Sequence, residues 1–330
     1  MSVVAEFAGD LHARSSPRPP RTLRPVRYAS KRTRLFDIRA VICDVYGTLV
    51  DYWRPEFDRP GGKDDAILGS FGKTIVRFGM EQALRDMEPA QSTDVTLRDL
   101  YHGLIGLQHE KAGQKGNTFP EIKIEQVWVI ILMMLGRHGY SFPDRGVEQI
   151  GEQARLVSFY YNFQALGRGL FPGVVPSLRK LRNENIRLGL LSNAQFYTPL
   201  DLTLFVRDQS GGQCEDYLDL FDIDLSVFSF EAGSAKPSQT LFERLFDALR
   251  EYHILPSQTV LVGNDLSIDI KPAQEAGMAT ALFTGDHRST FFHGLENRVF
   301  PDLVFSHWSE LPDKISFFEE KPGGESRNET

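Results

Sequence analysis

The sequence predicts an α/β protein in which a block of helices interrupts a parallel sheet. Three observations support this prediction. A short apolar run at residues 40–43 has the length and composition of a buried strand. Apolar residues then recur every three or four positions from about residue 64 to residue 164, which is typical of helices. From residue 171 onward, strand-like and helix-like segments alternate, as they do in parallel sheets with helices on both faces.

The first predicted strand is the run Ala40–Cys43, which leads into the carboxylate of Asp44. A continuous apolar run is typical of a parallel strand that is buried on both faces. Gly47 follows closely and permits a sharp turn. Open α/β sheets bind ligands at the carboxyl ends of their strands, so Asp44 is a candidate functional residue. An aspartate in this position can attack an electrophile and form a covalent intermediate.

The helical block is predicted to contain four amphipathic helices, at residues 66–78, 95–111, 122–137 and 147–161. Pro120 and Glu121 mark the start of the third helix, because proline is tolerated in a first turn and the helix dipole favours an acid there. The block separates the first strand from all later strands. We therefore interpret it as an insertion into the α/β domain.

The segments after residue 171 alternate between the two kinds of element. Predicted strands lie at residues 186–191, 225–229, 259–263, 279–283 and 302–305, and predicted helices at 174–184, 197–205, 239–251 and 268–276. Right-handed connections between parallel strands would bring the carboxyl ends of these strands to one edge of the sheet.

Composition limits the classes of function. The 330 residues are 41% apolar and 25% charged, which is typical of a soluble globular protein with two domains. The net charge of −7 argues against broad nucleic-acid binding. Cys43 and Cys214 form neither a metal-binding pattern nor a disulfide framework, which fits a reducing compartment. The longest apolar run, at residues 127–135, is far shorter than the roughly 20 residues of a membrane helix. We expect a cytoplasmic protein with a small-molecule substrate and no nucleic-acid or membrane partner.

The two ends of the chain differ in composition from the rest. Residues 1–35 are strongly basic, and residues 14–34 contain no acid at all. We expect this arm to be a disordered extension, with an organelle transit peptide as the alternative. Residues 318–330 are predicted to be a disordered tail. The α/β domain is then assigned to residues 36–51 and 171–317, and the helical insertion to residues 52–170. The oligomeric state stays open, with a homodimer as one alternative.

Further polar residues lie, like Asp44, at or just beyond the ends of predicted strands. They are Ser192, Lys236 and the pair Asp265 and Asp269. The predicted pocket therefore contains three carboxylates, one hydroxyl and one ammonium group. Clustered carboxylates repel each other, so a bound cation is expected. Oxygen ligands without His or Cys favour a hard ion, and Mg²⁺ is the usual choice beside phosphate.

The segment Asp44-Val45-Tyr46-Gly47-Thr48 resembles the first motif of the haloacid dehalogenase-like hydrolases, whose usual form is DxDGT. Three later segments resemble the second, third and fourth motifs in the family's order: Ser192-Asn193, Lys236-Pro237, and the run that holds Asn264, Asp265 and Asp269. The resemblance covers roughly residues 36–317. It implies a Rossmann-like core, and it implies that the helical insertion is a cap that closes over the active site.

The resemblance also implies an activity. It is Mg²⁺-dependent phosphoryl transfer from a small phosphorylated metabolite through an aspartyl phosphate at Asp44, the nucleophile. Ser192 and the backbone N–H of Asn193 would bind the phosphoryl oxygens, together with Lys236, which would neutralise charge. Thr48 would belong to the same phosphate-binding turn, mainly as a hydrogen-bonding support.

The metal ligands that the resemblance implies are Asp44, the backbone carbonyl of Tyr46, and Asp265. Asp269 lies one helical turn beyond Asp265 and would hold a metal-bound water or orient Lys236. With this ligand set, the resemblance implies Mg²⁺ as the cofactor.

Tyr46 departs from the family's phosphatases, which carry a second aspartate there that protonates the leaving alcohol and later activates water. A tyrosine with an ordinary pKa of about 10 performs both tasks poorly at neutral pH. The DxYGT form resembles the 2-haloacid dehalogenases, which act at carbon without metal. Those enzymes lack the first acid of the fourth motif and carry Tyr six residues after the motif-three lysine, whereas this chain has Asp265 and Phe242. Phosphorus chemistry is therefore favoured. A dehalogenase-like hydrolase and a catalytically weak protein that binds a phosphorylated ligand are the alternatives.

Overall fold

The computed structural model describes residues 2–15 and 22–317. Its strands are β1 (Ala40–Cys43), β2 (Val50–Asp51), β3 (Gly169–Leu170), β4 (Arg187–Ser192), β5 (Ser226–Phe228), β6 (Thr259–Gly263), β7 (Ala279–Phe283) and β8 (Leu303–Phe305). Six of them form one sheet in the order β5-β4-β1-β6-β7-β8, and every neighbouring pair in it is parallel. The predicted α/β class is confirmed.

The central strand β1 is buried on both faces of the sheet. Val41 and Cys43 contribute to the apolar cluster on one face, and Ala40 and Ile42 contribute to the cluster on the other. Successive side chains of a strand point to opposite faces, so a strand covered on both sides needs apolar residues at every position. This explains why the first strand reads as an unbroken apolar run. It also places Asp44, the next residue, at the centre of the carboxyl edge.

The described residues form twelve α-helices. They are α1 (Val3–Ala13), α2 (Gly62–Phe78), α3 (Glu81–Met87), α4 (Thr93–Gln114), α5 (Ile124–Gly136), α6 (Ile150–Ala165), α7 (Val174–Asn183), α8 (Thr198–Gln209), α9 (Ser229–Ala232), α10 (Gln239–Glu251), α11 (Lys271–Glu275) and α12 (Leu311–Lys314). The four predicted cap helices correspond to α2, α4, α5 and α6. Helix α3 was not predicted.

Helices α2 to α6 pack around an apolar core of their own, which includes the fully buried rings of Phe71, Trp128 and Phe159. The chain leaves the sheet domain through β2 and returns through β3, and these two short strands pair antiparallel, with Val50 opposite Leu170. The two segments that connect the sheet domain to the helical insertion therefore lie side by side. We refer to residues 52–170 as the cap.

The prediction that residues 1–35 are disordered is wrong for the part of that segment that the structure describes. Ser2 Oγ caps α1 by accepting a hydrogen bond from the Ala5 N–H at 3.3 Å. Val4 and Ala8 on α1 are buried, and the ring of Phe7 meets that of Phe159 on α6 edge to face. These apolar residues recur at helical spacing, a pattern that the basic composition of the whole segment obscured.

Residues 22–35 run along the sheet domain. The Val26 N–H donates to Thr284 O at 2.9 Å, and the Leu35 N–H donates to Lys314 O at 2.8 Å. The ring of Tyr28 stacks on that of Phe292 with the centroids 5.1 Å apart. This part of the basic segment is therefore an integral part of the fold.

Met1, residues 16–21 and the predicted disordered tail at residues 318–330 lie outside the described residues. Within the ranges 2–15 and 22–317, no helix has both the length and the apolar character needed to cross a membrane.

Candidate active site

Polar side chains gather where the central strands end. Asp44 follows β1, Ser192 is the last residue of β4, and Asn264 follows β6. Because β4 and β6 flank β1, these three residues meet at one edge of the sheet. Lys236 reaches the same place from the loop between α9 and α10. The side chains are all buried, so the site is a solvent-poor cleft rather than an open surface.

The ammonium group of Lys236 lies between two carboxylates. Its Nζ is 2.6 Å from Asp44 Oδ1 and 2.6 Å from Asp269 Oδ1. Burial alone would lower the pKa of Lys236, but the charges of Asp269 and Asp44 outweigh it and leave that pKa raised. Burial raises the pKa of Asp269 to about 6, and the ammonium group of Lys236 opposes that rise. The three groups form one buried network in which the side chain of Lys236 bridges two carboxyl groups.

Asp44 is held at both carboxylate oxygens. Oδ1 also accepts a hydrogen bond from Ser192 Oγ at 3.1 Å, and Oδ2 accepts one from Thr48 Oγ1 at 3.2 Å. Thr48 Oγ1 lies closer still, at 2.9 Å, to Asn264 Oδ1. The turn that makes these contacts needs Gly47, which has φ of +87° and lies where a Cβ would approach Asn264 Nδ2 to 2.3 Å.

Asn193 fixes the loop that carries Lys236. Its Oδ1 accepts a hydrogen bond from the Lys236 N–H at 2.6 Å, and its Nδ2 donates to Lys236 O at 3.2 Å. Both backbone groups of the lysine are thereby satisfied by one amide side chain. The sequence reasoning gave Asn193 a role through its backbone N–H, whereas the structure shows that its side chain holds the backbone of Lys236.

The two acids after β6 have different surroundings. Asp269 Oδ2 accepts hydrogen bonds from the N–H groups of Asn264 and Asp265, both at 3.1 Å. Asp265 Oδ1 caps a short π-helix (Leu266–Ile270) by accepting hydrogen bonds from the N–H groups of the second and third residues of that helix. Asp265 Oδ2 lies 2.8 Å from Nε2 of His293, which is on the loop after β7. Asp269 is thus the acid that orients Lys236, and Asp265 presents one oxygen to a histidine.

Tyr46 directs its hydroxyl toward α8. Its Oη lies 2.9 Å from Thr198 Oγ1, beside the buried ion pair of Arg168 and Asp201. Burial and the charge of Asp201 raise the pKa of Tyr46 to about 12, although Arg168 and Thr198 oppose the shift. A group that is so weakly acidic remains protonated at neutral pH and accepts no proton there.

A cavity of about 450 Å³ lies between the cap and the carboxyl edge of the sheet. The cap contributes Tyr52, Lys63, Glu121, Asn162 and Leu166, and the sheet domain contributes Tyr46, Asn193, Ala194, Gln195 and Tyr197. The cavity has the size of a small-molecule site. Its lining includes Asn193, whose side chain forms hydrogen bonds with the backbone of Lys236.

The structure brings together Asp44, Thr48, Ser192, Asn193, Lys236, Asp265 and Asp269, all of which the sequence singled out. Their individual chemical roles stay predictions. Three further residues of the site were missed: Asn264, His293 and Glu121. Asn264 lay inside a recognised motif but was passed over for its acidic neighbours. His293 and Glu121 carry no local signal, since each meets the site through a contact distant in sequence.

The chain belongs to the haloacid dehalogenase-like hydrolase family, whose model matches residues 38–277. Phosphoglycolate phosphatase from Cereibacter sphaeroides is 29% identical over 206 residues, which are 62% of this chain and 80% of that protein. The solved structure of 2-haloacid dehalogenase from Pseudomonas syringae pv. Tomato DC3000 has a TM-score of 0.52 and 22% identity, and it covers 84% of this chain and 97% of that chain. This structural likeness shows that the two proteins share a fold.

Replacing Lys236 by Met should lower the free energy of unfolding by about 3–5 kcal/mol, because two buried carboxylates lose the cation that compensates them. Urea denaturation in the presence of a chelator measures this loss. Lys271→Met is the matched control, since Lys271 is half exposed and its partner Glu275 lies 3.7 Å away at the surface. Equal and small losses in the two variants would contradict the bridging role of Lys236.

Proposed function

We propose that this protein is a Mg²⁺-dependent phosphatase that acts on a small phosphorylated metabolite. The observation that carries the proposal is the position of Lys236 Nζ, 2.6 Å from both Asp44 and Asp269, with Ser192 Oγ on the same oxygen of Asp44. A carboxylate, a hydroxyl and a cation then surround one point beside the cavity, as a transferring phosphoryl group requires. The similarity to a phosphoglycolate phosphatase supports the same class of reaction.

In this proposal, a carboxylate oxygen of Asp44 attacks phosphorus while the bond from phosphorus to the leaving oxygen breaks. The electron pair of that bond stays on the leaving oxygen, and Asp44 carries the phosphoryl group as an aspartyl phosphate. Water then attacks phosphorus, releases the Asp44 carboxylate and yields inorganic phosphate. Lys236 and Ser192 both contact Asp44 Oδ1, so they lie next to the charge that develops in each step.

The residues present fit a hard cation. Asp44 and Asp265 offer carboxylate oxygens and Tyr46 offers a backbone carbonyl, whereas Mg²⁺ is commonly held by one or two carboxylates together with water and substrate phosphate. Residues 2–15 and 22–317 contain no group of three His, Cys, Asp or Glu side chains arranged to hold a metal ion, so in this proposal phosphate and water complete the ligand set. Bound Mg²⁺ would neutralise phosphoryl oxygens. His293, whose side chain is half exposed, must turn away from Asp265 Oδ2 for that oxygen to become a ligand.

Tyr46 restricts which esters such an enzyme hydrolyses well. Because its hydroxyl is turned toward Thr198 and its pKa is raised to about 12, Tyr46 gives a leaving alkoxide little help. Leaving groups that are stable as anions need no such proton. The same property favours the second candidate function, displacement of halide from carbon, since a halide also leaves without a proton. Asp265 favours phosphorus chemistry over this candidate, because it adds an anionic metal ligand.

Asp44→Asn should lower kcat by on the order of 10³-fold or more, because an amide oxygen is a poor nucleophile at phosphorus. The measurement is turnover of p-nitrophenyl phosphate, with circular dichroism to show that the fold is unchanged. Asp64→Asn, on the exposed first turn of α2, should leave kcat within about twofold. A folded Asp44→Asn protein with full activity would rule out Asp44 as the nucleophile.

A chelator should abolish turnover and added Mg²⁺ should restore it, because in this proposal Mg²⁺ neutralises the phosphoryl oxygens. Asp265→Ala should weaken Mg²⁺ binding by about tenfold to a hundredfold, measured by isothermal titration calorimetry with the apoprotein. Asp64→Ala is the control for nonspecific loss of charge. Full hydrolysis of 2-haloacids in chelator, without phosphatase activity in Mg²⁺, would instead establish the candidate that acts at carbon.

Tyr46→Asp should raise kcat/KM for alkyl phosphates by on the order of tenfold, because it supplies the missing acid and base. Aryl phosphates should gain much less, so the aryl-to-alkyl ratio of kcat/KM should fall. Tyr46→Phe keeps the ring, removes the hydroxyl and should leave that ratio unchanged. If the ratio is the same in all three proteins while they remain folded and active, proton transfer does not depend on position 46.

A further inference from the structure

A segment of the cap docks directly on the loop that delivers the catalytic lysine. Pro120 pairs antiparallel with Ser234, and the Ala235 N–H donates to Phe119 O at 2.8 Å. Asn117 Nδ2 donates to Gly233 O at 3.1 Å. Residues 233–235 immediately precede Lys236 in the chain. The cap therefore contacts the catalytic machinery itself as well as forming one wall of the cavity.

Glu121 lies at the centre of this contact, and both of its carboxylate oxygens accept hydrogen bonds from the sheet domain. Gln195 Nε2 donates to Oε1 at 2.5 Å, and Ser229 Oγ donates to Oε2 at 2.6 Å. Ser229 Oγ in turn accepts the N–H of Ala194 at 2.8 Å. A relay of two hydrogen bonds thus joins the cap carboxylate to the backbone of Ala194, which follows Ser192 and Asn193.

Gln195 strengthens the same connection. Its Oε1 accepts the N–H of Ile124 at 3.0 Å, and its Nε2 also donates to Ile122 O at 2.9 Å. Both the side-chain oxygen and the side-chain nitrogen of Gln195 therefore form hydrogen bonds with the segment around Glu121. The orientation of the Gln195 amide is fixed by this pattern, because a reversed amide would place a donor against the Ile124 N–H.

Burying the carboxylate of Glu121 is unfavourable unless hydrogen bonds satisfy its oxygens. Burial raises the pKa of Glu121, and the hydrogen bonds from Ser229 and Gln195 oppose that rise. A buried carboxylate that lost these donors would be destabilised, so Glu121 favours the arrangement in which residues 194, 195 and 229 stay in place. Glu121, Asn193, Ala194 and Gln195 line the same cavity beside the nucleophile.

We propose that Glu121 is a positioning residue, which holds the loop of residues 192–195 in its active arrangement when the cap is closed. This role rests on the proposed phosphatase activity. The loop carries Ser192, which contacts Asp44, and Asn193, which fixes the backbone of Lys236. Through Ser229 and Gln195, closure of the cap then sets the position of both groups that contact Asp44 Oδ1. The active arrangement is thereby completed only when the substrate is enclosed.

Glu121→Ala should lower kcat for p-nitrophenyl phosphate by about tenfold to a hundredfold, because small displacements of positioning groups have effects of this size. KM should change by less than about threefold, since both carboxylate oxygens of Glu121 are engaged by Gln195 and Ser229. Ser229→Ala should have a similar effect, and the double variant should lose little more than either single one. Glu110→Ala, on the exposed face of α4, is the matched control and should leave kcat unchanged.

The amide exchange of the peptide that spans residues 190–197 tests the role without any turnover. In Glu121→Ala, hydrogen exchange of this peptide should be faster by about tenfold, whereas Glu110→Ala should not alter it. Glu121→Gln should give an intermediate result, because its amide can still accept from Ser229 but opposes the amino group of Gln195. This variant also serves if Glu121→Ala does not fold.

The two hypotheses fail in different ways. If the wild-type protein hydrolyses no phosphate ester, the proposed function fails, and the exchange experiment still measures whether Glu121 orders the loop. If the wild-type protein is an active phosphatase but Glu121→Ala exchanges and turns over like Glu110→Ala, the positioning role fails alone. Full additivity of Glu121→Ala and Ser229→Ala would overturn it as well, since residues of one relay cannot act independently.

Discussion

The two ion pairs of Lys236 are the interaction on which the rest of the site depends. They join Lys236, on the loop between α9 and α10, to Asp44 after β1 and to Asp269 after β6. These two aspartates lie 192 and 33 residues from the lysine in the sequence. Each buried charge would be unfavourable without the others. The arrangement also requires the strand order β4-β1-β6, because only neighbouring parallel strands bring their carboxyl ends to one place.

The surrounding contacts reinforce this centre from different parts of the chain. Asn193 fixes both backbone groups of Lys236, and Asp269 is fixed by two backbone N–H groups of its own loop. Gly47 lets the turn after Asp44 approach Asn264 closely. The sheet domain thus supplies the clustered polar residues, whereas the cap and the sheet domain both line the cavity, and the cap contacts the loops around the cluster through Glu121.

Much of the sheet domain could be predicted from the sequence because its elements are defined locally. β6, β7 and α10 have the predicted bounds, and most other strands and helices differ from prediction by a few residues at their ends. Helix α1 was not predicted, because the basic composition of residues 1–35 was given more weight than the helical spacing of their apolar residues. The helix predicted after Asp265 was only partly correct. It begins as a π-helix at Leu266, which departs from regular α-helical spacing, and continues as α11.

The sequence by itself determined which residue types stand at the ends of the strands, because strand periodicity and the motif spacing are properties of the chain. It also showed that position 46 is a tyrosine. Only the tertiary structure decided where each side chain points: Tyr46 toward Thr198, Asp265 toward His293, and Glu121 toward Ser229. These contacts join residues that are 28 to 152 positions apart. Such partners are chosen by the packing of loops and cap against the sheet, and no local pattern encodes that packing.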